Sequence, residues 1–364
     1  MERAISVLFL FRLILIGLLA QDLAPFMERD GRTMIFDRGS FEELEGLQVE
    51  DRVVVPGTAV FRTAAGEVVL YRTGKLRRIA GPGEAQLLPM GRDVCAIVND
   101  SLWCLHGAEF QLLASRVDTV EAADSMAVFV DAEDRGLYVA WRGGLTRMAE
   151  VNGAGAPEWA MGGNTVVVHG GGTGLANLFH RGNVLPLAAS NEGFRVSCGM
   201  DVVAYTGTNK GPFMIWTPHG HTEIVPDPPS RFLAANELVA FVEGDERLLI
   251  WVHDTVHVVG EAPTDMWSEG GLLLWIEGGK LHTWTNHGPM AVTPYVPEKW
   301  SVSQGTIYYL DLDRQIWSFR DGSRSPISSE LGIPDFEVFP GTVLYRNQQG
   351  AVRVHWNGRL HTYY

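Results

Sequence analysis

A chain of 364 residues with 43 acidic against 29 basic side chains, a formal net charge of -14, lacks the clustered Lys and Arg that phosphate binding requires, so nucleic acid and anionic membrane surfaces are not expected partners. At 46% hydrophobic and 20% charged it is globular, not disordered, and long enough for one large domain or two smaller ones. The 41 Gly beside 11 Trp and 16 Phe point to many short strands joined by tight turns.

The chain opens MERAISVLFLFRLILIGLLA, with Arg3 ahead of an apolar stretch and Ala20 at its end. That is the pattern of a cleaved signal peptide over residues 1–20, leaving a mature chain of 21–364 in a secreted or periplasmic setting. Arg12 interrupts the stretch and Leu18 stands where a small residue is preferred. An uncleaved anchor is the alternative, but the run is short for a span of about 20 residues. No later segment is long and apolar enough to insert in a membrane.

From residue 21 onward one unit recurs. A strand ending near an aromatic residue is followed by a tight turn, as in TMIFDRGSF, VVLYRTGKL, LWCLHGAEF, YVAWRGGLT and so on to VHWNGRLHT. The aligned positions are Phe36, Tyr71, Leu105, Trp141, Phe179, Trp216, Trp251, Trp284, Phe319 and Trp356, spaced 33 to 38 residues apart. A second apolar run precedes each aromatic strand, a third precedes that and ends near Gly, and the segment after the turn supplies a fourth. The first copy lacks its opening run. The expected fold is therefore all-β, a β-propeller of about ten short four-stranded repeats of roughly 35 residues. Two five-bladed rings, or a smaller ring with extra units, are the alternatives. In such a fold most aromatics pack between blades, which leaves little of this ring chemistry for a ligand.

DVCAIVNDSLWCLHG, Asp93 to Gly107, holds two of the three cysteines. A two-residue turn at Asn99-Asp100 sets Cys95 opposite Cys104 at a non-hydrogen-bonded pair, close enough for a cross-strand disulfide. Two free buried thiols, or a metal or redox pair, are the other readings, although the spacing is not Cys-x-x-Cys and no second ligand pair is evident. The stretch resembles the Cys-Ala…Trp-Cys-x-Gly hairpin of secreted bacterial relatives of the regulator of chromosome condensation family, matching at Cys95, Ala96, Trp103, Cys104 and Gly107. The resemblance implies a propeller unit; neither nucleotide exchange nor chromatin binding follows from one hairpin.

Further along, Gly170 to Gly174 lacks the Lys-Ser/Thr ending and following helix of a phosphate loop and reads as a hairpin. Cys198 reads as a lone buried thiol. His219 and His221 alternate on a strand and point apart. Asp311-Leu312-Asp313 looks like part of a calcium loop, but other units carry acids at the same turn, so a solvated turn is the simpler reading. No metal or cofactor is expected, and the Thr-Gly-x-x-x-Trp pattern of quinoprotein dehydrogenases is missing.

One motif remains. A proline, an acid and an aromatic residue open several of the third-run strands: Pro157-Glu158-Trp159, Pro263 to Asp265 and Trp267, Pro297-Glu298 and Trp300, and Pro334-Asp335-Phe336. Pro229 with Arg231 and Phe232 varies it with a base. If these strands are innermost, Glu158, Trp159, Arg231, Asp265, Trp267, Glu298, Trp300 and Asp335 line the mouth of a central channel, where propellers commonly bind ligands. Acids there favour a cationic ligand or a basic patch on a partner. The expected function is a binding or scaffolding module for a protein, glycan or cationic ligand, not an enzyme. The alternative is a hydrolase or lyase acting on a glycan polymer through central carboxylates.

Overall fold

The computed structural model describes residues 22–91, 93–107, 109–151, 156–171, 174–190, 192–207, 211–244 and 246–364. The expected signal segment, 1–20, lies outside them, as do Gly172 and Thr173 of the glycine run. The described residues form 39 strands in ten antiparallel sheets and no α-helix. Nine sheets have four strands in simple up-and-down order, and the first has three. All ten aligned ring or leucine positions fall on the third strand of a sheet, except in the three-stranded first sheet, where Phe36 lies on the second of its three. By alignment that sheet has no opening strand among the described residues.

The strands differ in burial for a simple reason. Second and third strands lie between neighbouring sheets and are covered on both faces, so Thr58–Thr63 and Val68–Arg72 read as continuous apolar runs. Fourth strands such as Lys75–Ala80 are largely exposed, which is why they are the weakest part of the sequence repeat. Turn chemistry fits as well. Asn99 and Asp100 take φ of 48° and 66°, the left-handed pair of a type I′ hairpin, and Cys95 and Cys104 on its two arms are disulfide-bonded.

The chain resolves into two compact units. The first comprises residues up to Asn99, Tyr308–Ser318 and Ser325–Tyr364. In it the first and second sheets share a core of Leu23, Ile35, Phe61 and Tyr71, and the ninth and tenth one of Leu310, Phe336 and Tyr345. The first and tenth sheets meet through Phe26, Phe36, Leu344 and Val354. Polar contacts seal that meeting. Thr342 Oγ1 donates to the Leu23 carbonyl at 3.2 Å, Arg346 to that of Met27 at 2.5 Å, and the Trp356 indole N–H to Asp22 at 2.7 Å.

The second unit comprises Asp100–Ile307 and Phe319–Arg324. Here the first strands of sheets five to eight touch in succession: Pro157–Gly162, Arg195–Cys198, Arg231–Ala234 and Asp265–Glu269. First strands are thus the inner ones, as the sequence motif requires. Their hairpins nest so closely that a Cβ on Gly162 would lie 2.1 Å from the Cys198 carbonyl oxygen, and one on Gly199 2.0 Å from that of Ala235. Only glycine fits there, which accounts for the recurrent Gly at the end of this run. Cores such as Val128, Val166 and Phe179, or Ile250, Leu273 and Trp275, each bridge two sheets, so most aligned rings are packing residues.

Candidate binding surface at the inner-strand starts

Each motif proline lies just before, or begins, an inner strand, and the carbonyls of Pro229, Pro263 and Pro334 accept from arginine side chains. Each arginine comes from the preceding sheet. Arg195 donates from Nη1 to Pro229 O and from Nη2 to Ser230 O, both at 3.1 Å, while its guanidinium lies 4.8 Å from the Phe232 ring centre. Arg231 repeats the move one sheet on, donating to Pro263 O at 2.5 Å. In the first unit Arg314 donates to Pro334 O at 2.5 Å. The sequence reading missed this use of the motif, although an arginine opening one inner strand ahead of a proline at the next was visible in it.

The acids behave more locally. Asp265 Oδ1 accepts from the N–H of Met266 at 2.9 Å, and Asp335 Oδ1 from that of Phe336 at 2.8 Å. Each fixes the start of its own strand and still leaves the carboxylate exposed. Glu298 is exposed. Glu158 is 80% exposed, and one of its oxygens lies 3.9 Å from His169 Nε2. Burial holds that imidazole below its ordinary proton affinity.

Seven of the eight motif residues belong to the second unit and Asp335 to the first. Within the second unit, Trp267 and Trp300 come together with ring centres 5.8 Å apart and planes at 37°. The Trp267 indole donates to Glu269 at 3.4 Å, and that of Trp159 to Glu121 at 2.8 Å. Among the described residues no group of three or more His, Cys, Asp and Glu is placed to hold a metal ion. Asp311 accepts from the backbone of Asp313 and Gln315 and from the Trp317 indole, a self-capped turn. His221 pairs with the Tyr205 hydroxyl at 2.8 Å. Cys198 is buried, with its thiol pushed up to about 12 by burial, which makes it inert as a nucleophile.

Around Asp335 the surface deepens into a cleft of about 340 Å³, lined by Phe26, Met27, Phe336 and Tyr345 with Arg52 and Glu337. It lies where the first sheet has no opening strand among the described residues. Arg52 Nη2 and Glu337 Oε2 pair at 2.5 Å between the inner strands of the second and tenth sheets, and Arg52 also faces the Phe339 ring at 5.9 Å. No single motif in the sequence marks this cleft, because its walls come from segments nearly 300 residues apart. Among the described residues no helix is long and apolar enough to cross a membrane.

A family model described as a 10-bladed beta propeller domain matches residues 17–361, which includes the last four residues of the expected signal segment. No curated protein sequence matches the chain. Solved structures similar to it are propellers at low identity. The CRINKLY WD40 ectodomain of the Arabidopsis thaliana receptor kinase ACR4 is 12% identical, covering 67% of this chain and 98% of that one, with a TM-score of 0.38. Citrobacter koseri AztD is 12% identical over 85% and 94%, with a TM-score of 0.38. Prp20p of Saccharomyces cerevisiae, described with its binding to Gsp1p and histones, is 8% identical over 61% and 75%, with a TM-score of 0.36.

Proposed function

The chain belongs to the family of ten-bladed β-propeller domains, and from that premise we propose that it is a binding module whose contact surface lies in the first unit, at the start of the inner strand that carries Pro334-Asp335-Phe336. The observation that carries this reading is the cleft that Asp335 lines. Its lining sets exposed Met27 beside the buried Phe26 and Phe336, and its rim carries the Asp335 carboxylate, the Arg52–Glu337 pair and Arg346. An occupant that sets an apolar side chain on Met27, which is 46% exposed, with a neighbouring Lys or Arg toward Asp335, satisfies both features. A basic, apolar-flanked segment of a protein partner has that chemistry. The net charge of -14 speeds its approach at low salt.

The Cys95–Cys104 disulfide supports a secreted or periplasmic setting, since such bonds persist in oxidising compartments, and removal of residues 1–20 belongs to the same proposal. Selection from a displayed peptide library tests the function. Enriched peptides should pair Lys or Arg with an aromatic or aliphatic residue. They should bind Asp335→Asn/Glu337→Gln about tenfold more weakly or worse. Enrichment of acidic peptides, or binding indifferent to the double variant, would contradict it.

A further inference from the structure

At the opposite end of the sheets from Arg231 and Asp265, an open groove of about 600 Å³ runs between the seventh and eighth sheets. It lies wholly within the second unit. Its floor includes half-buried Trp284, and its rim is made by His253, His257, His287, Asn286 and Glu237, all exposed. His257 leans on the indole, ring centres 5.4 Å apart.

Two properties characterise this groove. The first is unused hydrogen-bonding capacity. Trp159, Trp267, Trp275, Trp317 and Trp356 each donate the indole N–H to a carboxylate. Among the described residues the Trp284 indole N–H, like those of Trp141, Trp216 and Trp251, has no carboxylate partner, and the side chains of the three histidines, Asn286 and Glu237 make no hydrogen bond. Their backbones are engaged, as where His287 N–H donates to the buried Thr285 hydroxyl at 3.1 Å. The turns are therefore held while the side chains face outward. The second property is charge. Among the lining residues there is no Lys or Arg, and Glu237 is the single carboxylate. Phosphate, sulfate or polyanionic ligands find no fixed cation there, and the described residues offer no metal-binding group of three His, Cys, Asp or Glu.

A half-buried indole face ringed by imidazoles, a carboxamide and one carboxylate matches a ligand with an apolar C–H face and many hydroxyls. We propose that this groove binds a neutral oligosaccharide, one sugar ring over Trp284 and its hydroxyls on the imidazoles and the Asn286 amide. The site is independent of the Asp335 cleft, so either can fail without the other.

Saturation-transfer NMR with the full chain at about pH 7.5 tests it, using cellohexaose, chitohexaose and maltohexaose beside hexagalacturonate. At least one neutral hexasaccharide should bind. Its affinity should fall about tenfold or more in Trp284→Ala and severalfold in His257→Ala. The exposed pair His287→Ala/Asn286→Ala, which leaves the core intact, should also weaken it and keeps the test open if Trp284→Ala does not fold. Binding of hexagalacturonate alone, of no hexasaccharide, or binding unchanged in the rim variants would overturn the proposal.

Discussion

An arginine at the start of an inner strand acts on the next sheet: Arg195 reaches Pro229 and Arg231 reaches Pro263. Arg231→Ala should therefore lower stability by about 1 kcal/mol, the worth of one charge-assisted bond at a partly exposed position. It should leave peptide binding within twofold, as urea unfolding and a binding titration on the same sample would show. Titratable groups add a pH dependence. Burial alone would raise the Asp201 carboxyl, but hydrogen bonds from His180 and Asn164 and the Arg181 charge hold it below the ordinary carboxylate range. Burial holds His169, His282 and His355 below the ordinary imidazole range. In each case the unfolded chain takes up a proton that the folded chain refuses. Stability is therefore full above the unfolded-state value and is lost as pH falls, first through about 6.5 for the histidines and then below about 3.9 for Asp201. Urea midpoints should drop between pH 7.5 and 5.5, and Asp201→Asn should flatten the further loss below pH 4. A midpoint unchanged from pH 7.5 to 5.5 would contradict the role given to the buried imidazoles.

Nested inner hairpins make single glycines matter to whole sheets. Gly199→Ala sets a methyl against the Ala235 carbonyl and should cost about 1–3 kcal/mol, the usual range for overpacking, whereas Gly81→Ser, in open space and outside the left-handed region, should cost much less. The Cys95–Cys104 staple spans a short loop, so Cys95→Ala/Cys104→Ala should cost about 2 kcal/mol and leave binding unchanged; denaturation with and without reductant measures it. Much of this level was legible in the residues. Second and third strands announce themselves because both faces are buried, and the Asn99-Asp100 turn follows from left-handed tolerance. Contacts between elements were not. Nothing in Pro263 alone says that its carbonyl will take Arg231, and nothing in Trp267 and Trp300 says that the two rings meet.

Ten units with ten aligned positions were countable along the chain, because the repeat period is set by four short strands and their turns. How the first and last sheets join was not countable. That join depends on Asp22, Thr342, Arg346 and Trp356, ordinary polar and aromatic residues until the two sheets are neighbours. Trp356→Phe keeps most of the buried ring and removes the bond to Asp22. It should speed amide exchange along Leu23–Met27 and Thr342–Arg346 more than in the second unit; uniform exchange would speak against a localised closure. The same meeting of first, second and tenth sheets walls the Asp335 cleft, so closure and the proposed contact surface are linked. The most direct measurement is hydrogen–deuterium exchange of the chain with and without a selected basic, apolar-flanked peptide. Protection confined to Leu23–Met27 and the segment from Pro334 to Phe339 is the predicted result. Protection elsewhere, or none at saturating peptide, would contradict it.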